Sequence, residues 1–357
     1  MTTLTRAHEQ WKSRPDDQRF LSLTDLLTFK QAQRASSKAV AIPSKTLTFT
    51  PTEDNKGLTI NEEFTPTNWS FSQVSTLAGA PAGYLRDLPA PIAADCLNYG
   101  LKYKRDSQDI GLLLYKNGTS ELRAATGPNY GRIWDEEVTS SLIQKFGDGR
   151  TGDWRVPGEF GKEVPITKDN TTIYASDRDM FVFLADEKNR ITIPNRRDGK
   201  EGSLARGFFL WNSEVGKTSL GIGTFLFDYA CSNRIVWGAE SYKEIRIRHT
   251  AGAPLKWLDD VQPVLTAYAQ ASAKPFEDAL RLAQEKKVND VDAFLAERFG
   301  KRMVEPIKAI HTLEENRPIE SLWDVSTAVT AYARSVPHVD ARIELERSAG
   351  AVLDMAK

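Results

Sequence analysis

The chain is short of the residues that most often carry chemistry. Only two cysteines, Cys96 and Cys231, and four histidines occur in 357 residues. The cysteines sit far apart and match no metal-ligand spacing, which argues against a disulfide framework and against a zinc site. No metal and no cofactor is expected, and a reducing compartment is the natural setting. No apolar run approaches the roughly 18 residues of a membrane span, and the opening MTTLTRAHEQWKSRPDDQRF has no apolar h-region. The expectation is a cytoplasmic protein with no membrane partner. Excess charge is missing too: 47 Lys and Arg face 48 Asp and Glu, a net of −1. The molecule as a whole is therefore no polycation, and any nucleic-acid site must be a local patch.

What the chain does have is one dense stretch, Gly207 to His249, rich in apolar, aromatic and β-branched residues. FFLWNS and SLGIGTFLFDYA alternate with apolar residues on both sides, predicting strands covered on both faces. EIRIRH places Arg246 and Arg248 on one face and Ile245 and Ile247 on the other. Before this stretch, Thr5 to Ala35 reads as two short helices, with Ser22 and Thr24 as candidate caps and Leu23, Leu26, Leu27 and Lys30 at helical spacing. TLTFTP and LTI suggest a small hairpin, and residues 69–101 suggest short helices. GYLRDL is too short, with one cation, for a DNA-reading helix. IGLLLYKNGTSELRAATG is a hairpin around Asn117-Gly118, and DEEVTSSLIQKF is a helix whose acids suit its N-terminal dipole. TTIYASDRDMFVFLAD and ITIP add strands. Lys188 to Arg206 is the most basic stretch, six cations against two acids. From Pro254 the pattern is helical to the end.

Taken together, the patterns predict an α+β protein with a mainly antiparallel central sheet flanked by helices and a helical C-terminal region. The expected divisions are 1–70 as a helical and hairpin extension, 71–252 as an α+β core, and 253–357 as the helical region.

Three constellations bear on chemistry. VGKTS resembles a phosphate loop only superficially, because Trp211 stands where the pattern requires glycine and a strand follows. Cys231 with His249 offers a thiol and a base, and Asp177 with Asp179 offers two carboxylates for a metal-dependent nuclease. Each has a simpler reading, as a buried small residue and as a turn. The binding reading draws on more residues, since single strands are held by cations beside aromatic faces. Its candidates are Lys102, Lys104 and Arg105 beside Tyr99 and Tyr103, then Arg123 and, foremost, Arg132, Arg196, Arg197, Lys200, Arg234, Arg246 and Arg248 for phosphates, with Tyr130 or Trp237 stacking bases.

Read in order, SELRAATGPNYGRIWDEEV, FFLWNSEVGKTSLGI, FDYACSNRIVWG, the IRH at 247–249 and SLWDVSTAVTAYAR resemble the phage- and plasmid-borne family called domain of unknown function 932. NSEVG, CSN and RH are its most specific marks. The resemblance implies a mobile-element origin and a partner that is DNA or a component of replication and recombination; that family has no settled activity. The strand and helix order is also loosely compatible with ring-forming annealing proteins, an analogy of fold alone. The expected function is single-stranded DNA binding of the recombination or annealing class, by a homo-oligomer, with enzymatic activity left open. The alternatives are a metal-dependent nuclease or other hydrolase, and a non-enzymatic host-interaction module.

Overall fold

The computed structural model describes residues 14–103, 109–157, 165–194, 196, 199–228, 233–235, 245–336 and 339–356. A two-residue strand, β1 (Arg19–Phe20), leads into helix α1 (Leu23–Ala35). Ser22 caps that helix by accepting from the Asp25 N–H at 3.0 Å. Thr24 lies inside it, and the described part of the first segment holds one α-helix where two were expected. Strand β2 (Ser37–Pro43) follows, then the hairpin of β3 (Phe49–Pro51) and β4 (Leu58–Ile60), and the short β5 (Thr65–Pro66). Three helices come next: α2 (Asn68–Ala78), α3 (Ala82–Arg86) and α4 (Ala90–Tyr103). The predicted Asn-Gly hairpin is β6 (Asp109–Lys116) and β7 (Ser120–Thr126), with Gly118 at φ +73°.

These strands form a four-stranded sheet in the order β2-β6-β7-β5, with β5 parallel to β7 and the other pairs antiparallel. One face packs Ile110, Leu112 and Leu122 against Val74, Leu97 and Leu101 of the helices. Helices α2 and α4 approach so closely at Gly100 that a methyl group there would lie 2.1 Å from the Ala78 carbonyl oxygen.

Helix α5 (Asp135–Phe146) leads to the second, larger sheet. Its later strands are β8 (Trp154–Arg155), β9 (Ile173–Ala175), β10 (Met180–Asp186), β11 (Ile191–Ile193), β12 (Gly202–Asn212), β13 (Leu220–Asp228), β14 (Asn233–Ile235) and β15 (Ile245–Ile247). With β1 they make nine strands in the main order β1-β9-β10-β12-β13-β14, every pair antiparallel. The alternation read from the sequence is realised. Val182, Leu184, Phe208 and Leu210 face the main core, while Phe181, Phe183, Phe209 and Trp211 are buried on the other side. Gly221 and Gly223 are glycines because the rings of Trp211 and Phe209 occupy the space a Cβ would take.

The remainder is helical: α6 (Ala253–Lys256), a π-helical turn, α7 (Gln262–Gln270), α8 (Lys274–Glu285), α9 (Val291–Phe299), α10 (Val304–Glu315), α11 (Leu322–Ala333) and α12 (Val339–Leu353). Trp257, Leu280, Ile307, Trp323 and Val329 join the same core as the large sheet, together with Leu23 and Leu26 of α1. Helix outweighs strand, 46% to 24%, and the two segregate along the chain, so the fold is α+β. The cores run across the positions near 70 and 252. One gathers residues 47–125 around the small sheet, and the other gathers residue 20 onward, the large sheet and the C-terminal helices.

Gly100→Ala tests the tight α2–α4 contact. The added methyl meets backbone rather than a movable side chain, and overpacking of this kind costs about 1–3 kcal/mol. Urea unfolding is expected to show that loss.

Candidate functional site at the junction of the two sheets

The connection from β12 to β13 lies between the two cores. Gly216, at φ +82°, turns the chain, and the Ser213 hydroxyl accepts from the Lys217 N–H at 2.9 Å and donates to the Arg178 carbonyl at 2.6 Å. Three successive carbonyls of the turn are held by side chains from outside it. Tyr130 Oη donates to Ser213 O at 2.8 Å, and Arg132 donates to Glu214 O. Val215 O accepts from Trp69 Nε1 at 2.9 Å and Gln73 Nε2 at 2.8 Å. The Val215 side chain packs with Leu113 and Ala124 of the small sheet. NSEVG is thus a bolt from the large sheet into the small one.

Beneath the turn lies a sealed set of charges. Glu214 Oε2 pairs with Arg123 Nη2 at 2.9 Å, and Asp135 Oδ2 pairs with Lys30 Nζ at 2.8 Å. Glu214 Oε1 accepts from the Asp135 N–H at 2.9 Å, and Asn212 Nδ2 donates to Asp135 Oδ1 at 2.8 Å. None of the four charged residues is more than 4% exposed. Burial raises the Asp135 pKa, against the pull of Lys30. Burial also works against the Glu214 charge, but Lys30, Arg123 and the Asp135 N–H outweigh it and hold that carboxyl below its ordinary range. Two acids shifted in opposite senses are a pattern of acid–base sites. Here no substrate can reach them, so the set acts as a clasp between α1, β7, α5 and the turn.

Above the clasp, rings and cations are layered at the surface. His249 stacks on Tyr130 with centroids 4.9 Å apart, and Arg132 lies over both Tyr130 and Trp134, at 5.2 and 5.7 Å. Arg34 lies over Trp134 at 4.9 Å, and Lys217 over Trp69 at 4.8 Å. Burial lowers the pKa of both Arg132 and His249 and raises that of the Tyr130 phenol. His249 Nδ1 is 3.0 Å from Gly131 O, and the Gly131 N–H returns a bond to His249 O at 3.2 Å.

The predicted binding residues do not form one surface. Tyr130 and Arg132 come together here, and Arg248 is exposed and precedes His249 in the chain. Tyr130 already has His249 stacked on its ring and the Arg132 guanidinium 5.2 Å from its centre, so contacts within the protein compete with the expected base stacking. Arg196 is buried, its Nε 2.8 Å from Glu315 Oε1, so its charge is held inside and not offered to phosphate. Lys200 is exposed but precedes the far end of β12, roughly 40 Å from the turn along an extended strand. Arg246 is exposed with its guanidinium 5.5 Å from the Trp211 ring centre, and β15 ends at Ile247, one residue before Arg248. Lys104, Arg105, Arg197, Cys231, Trp237 and the Arg234 side chain lie outside the described residues.

The basic stretch 188–206 is largely neutralised by pairing. Lys188 pairs with Asp153, Arg190 with Glu187, and Arg206 with Asp186, in addition to Arg196 with Glu315. Asp179 accepts from Arg14 at 2.7 Å and from Ser176 Oγ at 2.8 Å in a turn between β9 and β10, while Asp177 lies 3.6 Å from the Arg178 guanidinium. Glu136 and Glu137 at the start of α5 pair with Arg34. Among the described residues no group of three or more His, Cys, Asp or Glu is placed to hold a metal ion, and no helix is long and apolar enough to cross a membrane.

Sequence reasoning missed Trp69, Gln73 and Lys217, and it gave Lys30 no role beyond its helical spacing. The signal for Lys30 was present: it shares the core-facing spacing of Leu23 and Leu26, and a lysine there requires a buried partner. Comparison of the chain with family models, with curated proteins and with solved structures finds no match.

Two outcomes test the junction. Lys30→Met leaves Asp135 buried and unpaired, and removing one partner of a buried pair costs about 3–5 kcal/mol, readable by urea unfolding. The folded pKa of His249 lies below its unfolded value of about 6.5. Its contribution to stability is therefore present above that value and lost as pH falls through the folded one. His249→Phe keeps a ring on Tyr130 and is expected to flatten the loss of stability on acidification below about pH 6.5, followed by melting temperature against pH.

Proposed function

We propose that the protein binds single-stranded DNA at the junction surface, as a mobile-element protein of the kind represented by domain of unknown function 932. One observation carries this reading. Arg132 lies over Tyr130 and Lys217 over Trp69, His249 stacks on Tyr130 with the exposed Arg248 next to it in the chain, and among the described residues none of these three cations has a carboxylate within ion-pair distance. Elsewhere the described arginines are commonly paired with acids, as Arg34, Arg123, Arg190, Arg196, Arg206, Arg317 and Arg334 are. A local excess of positive charge on a molecule of net charge −1 is what a polyanion would find.

The segments that carry the family resemblance support the same place. GPNYGRIW, NSEVGK and RH meet there, although they lie far apart in sequence. In this reading Lys217 leaves the face of Trp69 for a phosphate and a base takes its position on the half-buried indole. Arg248 and Arg132 hold the neighbouring phosphates. Base stacking on one aromatic residue is worth about 1–3 kcal/mol and tolerates any sequence.

Fluorescence anisotropy with a labelled oligonucleotide tests this. Lys217→Glu and Arg248→Glu are each expected to weaken binding about tenfold and to lower the slope of log K against log salt by about 0.7 for each phosphate no longer held. Lys200→Glu, at the other end of β12, is expected to leave binding unchanged. Equal loss from all three variants, or no binding by the unaltered protein at low salt, would refute the proposal. Cleavage of the label in magnesium would favour the nuclease alternative.

A further inference from the structure

The outer face of α4 has an apolar stripe with no partner in the described structure. Its inner face, Ala93, Leu97, Gly100 and Leu101, is packed into the small-sheet core. On the exposed side next to it Ile92 is 50% exposed, Tyr99 60% and Tyr103 74%, with Cys96 between them, half-buried against the edge of that core. Positions 92, 96, 99 and 103 are spaced four, three and four apart, the spacing of a two-helix seam. Tyr99 and Tyr103 already lie ring to ring, centroids 5.3 Å apart, which extends the apolar surface along the helix. A run of this kind on a soluble face marks an interaction site more often than an isolated exposed residue does.

We propose that this face is the contact between two copies of the chain, packed with α4 antiparallel to α4 of the partner. The sequence of the helix is self-complementary in that orientation. With the twofold axis between Leu97 and Asn98, Ile92 of one copy meets Tyr103 of the other, and Cys96 meets Tyr99. Asp95 and Lys102, both exposed, flank the stripe on one side and are one heptad apart. Antiparallel pairing brings the Asp95 of each copy beside the Lys102 of the other, twice in one interface. In a parallel arrangement the two Asp95 side chains flank opposite sides of the seam and each faces Gly100 of the partner helix, so the Asp95–Lys102 pairs are lost. The charge pattern therefore selects both the occupant and its direction. The seam is four layers long, so association belongs in the micromolar range and not among obligate dimers. This inference is independent of DNA binding, since α4 carries none of the residues placed at the junction surface.

Sedimentation equilibrium of the full chain, from low to high micromolar concentration without DNA, tests it. A monomer–dimer equilibrium is expected, with Tyr99→Asp abolishing the dimer. Asp95→Lys and Lys102→Asp are each expected to weaken dimerisation about tenfold, and the double variant to return to within about threefold of the original, as a charge-swap cycle requires. All these positions are exposed, so circular dichroism should report unchanged folding. A chain that stays monomeric throughout overturns the proposal. So does a dimer indifferent to Tyr99→Asp, or one that the double charge swap fails to restore.

Discussion

The four buried charges Lys30, Asp135, Glu214 and Arg123 constrain this fold more than any single apolar contact does. Removing an ion from water costs several kcal/mol even after relaxation, and only close partners with good geometry offset that. The four sum to zero and come from α1, α5, the β12–β13 turn and β7. Their needs can be met together only if the small sheet, the large sheet and both helices take one arrangement. Apolar surfaces tolerate a shift of an ångström or two; this set does not, because a displaced partner leaves a buried charge unpaired.

The clasp also determines what appears above it. With Glu214 drawn inward on Arg123 and the Asp135 N–H, the turn carbonyls point at Tyr130, Arg132, Trp69 and Gln73. Gly216 then reverses the chain and Lys217 emerges over the Trp69 indole. The layering of His249, Tyr130, Arg132, Trp134 and Arg34 follows from the same placement. Arg132 keeps its charge at the edge of the site because its hydrogen bond goes to a carbonyl oxygen and not to a carboxylate.

Local signals in the sequence were enough for the elements that depend on local physics. The Asn117-Gly118 hairpin, helix α5 and the doubly covered β12 and β13 stand where turn chemistry and alternation place them. β2 was missed because SKAVAIP is an edge strand with small, half-exposed residues, so it carries no alternation strong enough to read. The basic stretch misled for a different reason. Arg196 is matched by Glu315 and Arg206 by Asp186, and pairing over such separations has no period or motif in the chain. The same limit concealed the clasp: Lys30 and Asp135, like Arg123 and Glu214, are distant in sequence and adjacent only once both sheets are built.

The most direct test of the clasp is equilibrium urea unfolding of the original protein and of Glu214→Gln, each followed by tryptophan fluorescence and by far-ultraviolet circular dichroism. If the charges bind the two cores into one cooperative unit, the two probes coincide for the original protein and separate in the variant, as one core opens before the other. Probes that already disagree in the original protein, or that still coincide after the substitution, would contradict that account.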